Sequence, residues 1–161
     1  MTRSTVYLET TILGYGASEP SRDLITAARQ RITRDWLAGA ARRYELFVSQ
    51  PVVREASAGD ENAASKRLAL IEGVPLLAVS DDAGELAAKL LDAGAVPRKA
   101  PEDALHIAIA AVHGIQFLLT WNVKHIANAT MRQAIERVCR NSGFEPPVIC
   151  TPEELEDDDT G

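Results

Sequence analysis

The chain has 161 residues, 46% of them hydrophobic and 25% charged, which is ordinary for one globular domain with a continuous core. The opening residues lack the apolar core of a signal peptide, and no apolar run approaches the roughly 18 residues of a membrane span. We therefore expect a cytoplasmic protein without membrane contact, whose two isolated cysteines, Cys139 and Cys150, are free thiols.

The net charge of −6 is unevenly distributed along the chain. Six of the 23 acidic residues lie in the last nine positions, which leaves 17 acidic and 17 basic residues in the remainder. We therefore predict a folded domain over residues 1–152 and an acidic tail over residues 153–161. The segment from Arg22 to Arg43 holds six arginines and two aspartates and would suit phosphate, although a solvated helix face accounts for the same charges.

In the first half of the chain, the pattern predicts a strand from Thr5 to Leu8 and then a loop holding Gly14, Gly16 and Pro20. A long helix is predicted from about Asp23, because apolar residues recur there at every fourth position: Leu24, Ala28, Ile32, Trp36 and Ala40. Leu46 to Val48 is a second predicted strand, and Ser49 with Pro51 suits the start of the helix that follows.

In the second half, strands and helices continue to alternate. Helices are predicted around Ala64–Ile71, Leu86–Leu91, Pro101–His113 and Met131–Val138, and strands at Leu76–Val79, Phe117–Leu119 and Val148–Ile149. Gly114 closes the third of these helices, and Thr151 with Glu154 forms a capping box. Short apolar strands alternating with helices indicate an α/β fold with a mainly parallel sheet that is covered on both faces.

Four polar residues follow predicted strands or lie at the start of the next helix. Glu9 comes directly after the first strand, Glu55 lies in the helix after the second, and Asn122 follows the fourth. Asp103 lies in the first turn of an otherwise apolar helix. Because ligand sites of parallel sheets lie beyond the carboxyl ends of the strands, these four residues are the candidate catalytic and metal-binding residues.

Oxygen donors from separate elements are typical of a magnesium or manganese site, and gathered carboxylates repel one another without a cation. Such an ion can activate a water molecule for attack on a phosphodiester bond. For Asp103 alone, a capping role at the helix start explains the residue equally well.

Other polar or aromatic residues fit structural roles. His106 on an apolar helix face is predicted to be a hydrogen-bonded core histidine, and Trp121 a packing residue, with base stacking as the alternative role. His125 suits either phosphate contact or a loop cap. Asp81 and Asp82 are predicted to be acids at a helix start.

Four segments resemble the motifs of the PIN-domain family, in order and at suitable spacing: YLETT at residues 7–11, VVRE at 52–55, DALHIA at 103–108 and LLTWNVKH at 118–125. The resemblance covers about residues 5 to 152. It implies a three-layer α/β/α fold and a Mg²⁺- or Mn²⁺-dependent endoribonuclease acting on RNA. It also implies a frequent role as the toxin of a VapBC-type pair, with an antitoxin protein as partner, and a homodimer.

The sequence departs from the family pattern at two positions. Glu9 stands where the family usually has aspartate, and Asn122 stands where many members have a fourth aspartate, whereas Glu55 and Asp103 match directly. A longer side chain and one lost charge predict weaker metal affinity than in a four-acid site.

The sequence fits other functions less well than a nuclease. The segment after the first strand lacks the Asp-x-Asp arrangement of an aspartate-nucleophile phosphatase, and no glycine-rich phosphate loop is present. A PIN-like module that only binds RNA or protein, with weak or no catalysis, is the main alternative. A nuclease acting on DNA is a third, and a comparison of RNA with DNA substrates separates it.

Overall fold

The computed structural model describes residues 2–156. Its strands are β1 (Ser4–Leu8), β2 (Tyr44–Ser49), β3 (Leu76–Leu77), β4 (Phe117–Leu119) and β5 (Val148–Cys150). They form one sheet in the order β3-β2-β1-β4-β5, and every neighbouring pair is parallel. The predicted parallel sheet is therefore confirmed.

Seven helices connect the strands within the described part of the chain. They are α1 (Thr10–Ala17), α2 (Leu24–Arg43), α3 (Gln50–Ala56), α4 (Glu61–Ala69), α5 (Asp81–Asp92), α6 (Pro101–Val112) and α7 (Ala129–Asn141). Helix α1 packs against α2, α3 and α4, while α5 packs against α6 and α7. No helix among residues 2–156 is long and apolar enough to cross a bilayer.

The central strands are buried on both faces. Val6, Tyr7 and Leu8 are consecutive residues of β1 and all three are fully buried, as are Leu118 and Leu119 of β4. Successive side chains of a strand point to opposite faces of the sheet, so complete burial of neighbours requires cover on both sides. This burial confirms the predicted α/β/α arrangement.

The predicted loop around Gly14 and Gly16 is wrong, because both glycines lie in helix α1. Ile12 and Leu13 of this helix are fully buried, and their packing outweighs the poor helix propensity of glycine. A β-carbon at position 16 would lie 2.8 Å from Cδ1 of Leu37, so glycine there permits the close approach of α1 to α2.

The predicted apolar stripe of α2 is buried only in its second half. Trp36 and Ala40 are buried, but Leu24 is 85% exposed and Ala28 is also exposed. The third strand is also shorter than predicted and ends at Leu77. Three residues later the Ser80 side chain accepts a hydrogen bond from the backbone of α5, so the chain has already turned into the next helix.

The predicted helix start at Ser49, the helix end at Gly114 and the capping box of Thr151 and Glu154 are confirmed. The Ser49 side chain caps α3, and Gly114 follows α6 with a φ of 68°, a left-handed conformation that favours glycine. Thr151 and Glu154 exchange hydrogen bonds between each backbone N–H and the other side chain. Cys139 and Cys150 are buried free thiols, and burial raises their pKa values to about 11 and about 12.

The packed body continues beyond the predicted domain end at residue 152. Leu155 packs against the core, and its carbonyl oxygen accepts a 2.8 Å hydrogen bond from Nε1 of the buried Trp36. Contacts with the core thus continue past residue 152, and the boundary between domain and acidic tail stays a prediction. The acidic residues at positions 157–159 lie outside the described residues.

Candidate active site

The candidate site begins at the centre of the sheet, where β1 lies between β2 and β4. The chain leaves β1 toward β2 and later crosses to β4 on the other side, so this is a topological switch point, where α/β folds bind ligands. Glu9 follows β1 and Asn122 follows β4. The backbone N–H of Glu9 donates to the carbonyl of Leu119 over 3.1 Å, which extends the β1–β4 pairing to the site.

Glu9 is a buried carboxylate, with only 3% of the residue exposed. Its Oε1 accepts hydrogen bonds from the backbone N–H of Thr11 (3.2 Å), the Thr11 hydroxyl and the Thr120 hydroxyl (2.6 Å). Burial raises the pKa of Glu9, and these hydrogen bonds only partly offset it. A buried charge of this kind is stabilised when a cation lies nearby.

Two hydroxyl groups that the sequence analysis missed join Glu9 to the loop after β4. The Thr11 hydroxyl accepts from the backbone N–H of Trp121 (2.8 Å), and the Thr120 hydroxyl accepts from that of Asn122 (2.9 Å). Each threonine lies two positions from a candidate residue, but nothing in the sequence indicates that the two threonines meet. The contact arises because β1 and β4 are neighbours.

Glu55 is half-buried, with 33% of its side chain exposed. Its Oε1 accepts from the Thr10 hydroxyl (2.8 Å) and from Nε2 of His106 (2.6 Å). Burial by itself raises the pKa of Glu55, but the hydrogen bonds from His106 and Thr10 and the charges of His106 and Arg54 together outweigh burial, so the pKa lies below its usual value. The carboxylate is therefore ionised and accepts both bonds.

His106 is fully buried, as predicted for a hydrogen-bonded core histidine. Its Nδ1 lies 2.7 Å from the Tyr7 hydroxyl, which in turn lies 2.7 Å from the Ser49 hydroxyl. Burial raises the pKa of Tyr7, so the phenol stays neutral. The sequence did not indicate that Glu55 is the partner of His106. The available signal was that His106 lies three positions after Asp103 on α6, which places both residues on the same face of the helix.

Asp103 and Asn122 are connected by His125. Nδ1 of His125 lies 3.1 Å from Oδ2 of Asp103, and its backbone N–H donates to Oδ1 of Asn122 over 3.0 Å. Helix α6 is capped at Ala100 without any side-chain hydrogen bond, so Asp103 does not cap its own helix. The capping interpretation of Asp103 is therefore wrong. The partner of Asp103 is His125, which lies in the same loop as Asn122.

A sequence model described as PIN domain matches residues 6–129. The chain belongs to the PIN-domain family. PIN domains are generally nucleases and generally use divalent metal ions. Among solved structures, the chain is similar in fold to VapBC2 from Rickettsia felis bound to a DNA fragment from their promoter, with a TM-score of 0.59 and 15% identity over 91% of this chain and 98% of that chain. No curated protein matches the chain.

In this PIN domain the three candidate carboxylates all act on one histidine. Burial lowers the pKa of His106, but the Glu55 hydrogen bond and the charges of Glu9, Glu55 and Asp103 outweigh burial and raise it. His106 in turn lowers the pKa values of Glu9 and Glu55. Glu9 after β1, Glu55 on α3 and Asp103 on α6 thus belong to one electrostatic group around a buried imidazole.

The donor chemistry of this PIN domain fits a hard divalent cation. Every protein hydrogen bond to Glu9 and Glu55 ends on Oε1, and the one to Asp103 ends on Oδ2. Each carboxylate thus has a second oxygen with no hydrogen-bond donor among residues 2–156. Carboxylate oxygens are the ligands that Mg²⁺ and Mn²⁺ prefer.

The spacing of these groups does not form a close metal cage. Within residues 2–156, no three His, Cys, Asp or Glu side chains lie close enough together to hold one metal ion. Mg²⁺ usually keeps several water ligands and binds one or two carboxylates directly, so its binding does not require such a cage. That Glu9, Glu55, Asp103 and Asn122 gather around one cation stays a prediction.

Basic helix α2 of the PIN domain lies beside the site. Trp121, next to Asn122, is buried and donates from Nε1 to the Thr33 hydroxyl over 2.7 Å. The Arg29 guanidinium carbon lies 5.1 Å from the centroid of the Trp121 ring. Trp121 is therefore a packing residue that joins α2 to the Asn122 loop, and Arg31 and Arg34 are exposed on the same helix.

Proposed function

We propose that this PIN domain is a divalent-metal-dependent endoribonuclease that hydrolyses RNA phosphodiester bonds and acts as the toxin of a type II toxin–antitoxin pair. The proposed metal ligands and catalytic residues are Glu9, Glu55, Asp103 and Asn122, and the proposed ion is Mg²⁺ or Mn²⁺. The family supports nuclease chemistry in general. The metal dependence, the RNA substrate and the toxin role are the proposal.

One observation carries the proposal: each of the three carboxylates has one oxygen held by protein donors and a second oxygen that receives no such donor within the described chain. Within the described chain none of these second oxygens is both buried and unpaired, so each is open to water or to a hydrated cation. Here Glu9 is almost completely buried, which costs free energy unless a cation or another group pairs with it.

The protein side chains would then have two roles: they would bind the cation, and they would orient the water molecules in its shell. A bound divalent cation supplies a water molecule with a lowered pKa and offsets negative charge on the phosphate. The free oxygens of Glu9 and Asp103 would face that ion, and Glu55 would bind it or a water molecule in its shell. Asn122 supplies a neutral oxygen, so the site carries three negative charges, and its ion is held less tightly than in a four-acid site.

The RNA substrate is supported by the position of α2. Arg29 packs over Trp121, directly before Asn122, so the exposed Arg31 and Arg34 lie on a helix joined to the site. Arginines contact phosphate oxygens and give salt-dependent binding of nucleic acid. The neutral balance of residues 1–152 allows such a local basic face despite the net charge of −6.

An antitoxin protein is the proposed partner, and a homodimer the proposed assembly. Leu24 and Ile25 at the start of α2 are 85% and 67% exposed, an apolar surface that a partner could cover. A groove of about 350 Å³ is lined by Thr26 of α2 and by Tyr15 of α1. One similar solved structure is that of VapBC2 from Rickettsia felis, which supports a partner of the antitoxin class.

The direct test is cleavage of single-stranded RNA and of DNA of the same sequence, with Mg²⁺, with Mn²⁺ and with a chelator. We expect RNA cleavage that requires the cation and is lost in Asp103→Asn. Asp82→Asn is the matched control, because Asp82 is also an acid in the first turn of a helix but lies outside the site. Cleavage of DNA alone, or cleavage unaffected by the chelator, would refute the proposal.

A catalytically inactive binding module is a second candidate, favoured by the absence of a close three-residue metal cage within residues 2–156. It predicts that RNA or a protein partner binds with the same affinity in wild type and Asp103→Asn, without cleavage in either. Binding and cleavage measured on the same two proteins therefore separate the two functions.

A further inference from the structure

We infer that His106, held by Tyr7 and Ser49, is the positioning residue that fixes the Glu55 carboxylate for the metal. The inference rests on the proposed function, because it assigns a role toward the proposed cation. His106 does not itself face a ligand, since it is fully buried and both ring nitrogens are already in hydrogen bonds. Its effect on the site must therefore pass through Glu55.

Two donors from different helices meet on one oxygen of Glu55. The Thr10 hydroxyl of α1 lies 2.8 Å from Oε1 and Nε2 of His106 in α6 lies 2.6 Å from the same atom. A glutamate side chain that is one-third exposed would otherwise sample several rotamers. Holding Oε1 from two sides leaves Oε2 in one defined position for a ligand.

The direction of the hydrogen bonds follows from what each group can do. Ionised Glu55 only accepts, so Nε2 of His106 must carry a hydrogen and donate to it. If the imidazole is neutral, Nδ1 accepts from the Tyr7 hydroxyl, which then accepts from Ser49. If it is charged, both bonds along that chain reverse, while the bond from His106 to Glu55 stays the same.

The chain of hydrogen bonds closes on the helix that carries Glu55. Ser49 is the N-cap of α3, and Glu55 is the sixth residue of that helix. The path from Ser49 through Tyr7 and His106 to Glu55 therefore joins the start of α3 to its own functional side chain, by way of β1 and α6. Because Tyr7 is itself fully buried in the central strand, it holds this path of hydrogen bonds in a fixed position.

Metal binding by folded protein distinguishes positioning from a merely structural role. Free Mn²⁺ is titrated by electron paramagnetic resonance at a temperature where circular dichroism shows every variant to be folded. We expect His106→Ala to raise the dissociation constant for Mn²⁺ by about 10- to 100-fold, the usual effect of removing a residue that orients a metal ligand. His106→Gln, which keeps an N–H donor for Glu55, should recover most of the affinity.

Tyr7→Phe removes the hydroxyl that holds His106 and leaves the ring, so it should weaken Mn²⁺ binding less than His106→Ala but in the same direction. His113→Gln is the matched control: His113 directly follows α6, and within residues 2–156 its ring bonds only to the carbonyl of Ala78. The His113→Gln variant should bind Mn²⁺ as the wild type does. If His106→Ala does not fold, the His106→Gln and Tyr7→Phe variants carry the test.

Each outcome decides between distinct ideas. Wild-type affinity in folded His106→Ala, or in Tyr7→Phe where the alanine variant does not fold, would overturn the positioning role and leave the proposed nuclease intact. Equal loss in His106→Ala and His106→Gln would also overturn it, because the donor would then be irrelevant. A wild type that binds no Mn²⁺ and cleaves no RNA would overturn the proposed function and this inference together.

Discussion

Replacing Glu9 by glutamine should remove a negative charge and keep every hydrogen bond that the side chain makes. The donors from Thr11 and Thr120 all end on Oε1, which an amide oxygen replaces, and no protein group within residues 2–156 donates to Oε2. Burial raises the pKa of Glu9, so its charge is unfavourable in the folded protein without a cation. We therefore expect metal-free Glu9→Gln to melt at the wild-type temperature or above.

The same substitution should abolish most of the stabilisation by metal. A cation that binds only the folded state, at ten times its dissociation constant, stabilises it by about 1.4 kcal/mol. For a domain of this length, one kcal/mol shifts the melting temperature by about 2–4 °C. The wild type should therefore gain about 3–6 °C with Mn²⁺, and Glu9→Gln should gain almost nothing.

Thermal melts by circular dichroism, with a chelator and with saturating Mn²⁺, measure both effects. Glu85→Gln provides the control, because Glu85 is an exposed residue of α5 and should respond to Mn²⁺ as the wild type does. Two results would refute the reasoning: a metal-free Glu9→Gln that melts several degrees below wild type, or one that gains as much from Mn²⁺.

Three further predictions concern packing and charge. Gly14→Ala should raise the free energy of unfolding by up to about 1 kcal/mol through helix propensity, since no atom lies within 4 Å of the added carbon. Gly16→Ala should give no such gain, because its added carbon would lie 2.8 Å from a leucine methyl. Equal gains for the two variants in urea unfolding would contradict the packing of α1. The double variant Arg31→Gln, Arg34→Gln should reduce the log–log salt slope of RNA binding by about 1.4, and an unchanged slope would assign these charges to solvation or a protein partner. Leu155→Ala should lower the free energy of unfolding by about 1–2 kcal/mol, which is less than the loss for a fully buried leucine. No loss would support the predicted domain end at residue 152.

Local sequence signals determined most of the secondary structure. Strands such as Phe117–Leu119 were predicted because a short apolar run is typical of a strand that is buried on both faces. Helix ends were predicted because caps are formed by neighbouring residues, as at Ser49 and Gly114. Helix α1 was missed for the opposite reason. Its glycines disfavour a helix locally, and only the tertiary burial of Ile12 and Leu13 compensates.

The sequence also indicated which residues the sheet would bring to one edge, since parallel strands end on the same side. It could not determine the partners of those residues. Glu55 and His106 are 51 positions apart, and Glu9 and Thr120 are 111 apart, so each pair meets only after the strand order is formed. Hydrogen bonds of about 3 Å depend on that order and on side-chain rotamers, neither of which leaves a periodic trace in the sequence. The tertiary structure alone therefore decided that His106, a core histidine by its pattern, holds a candidate metal ligand.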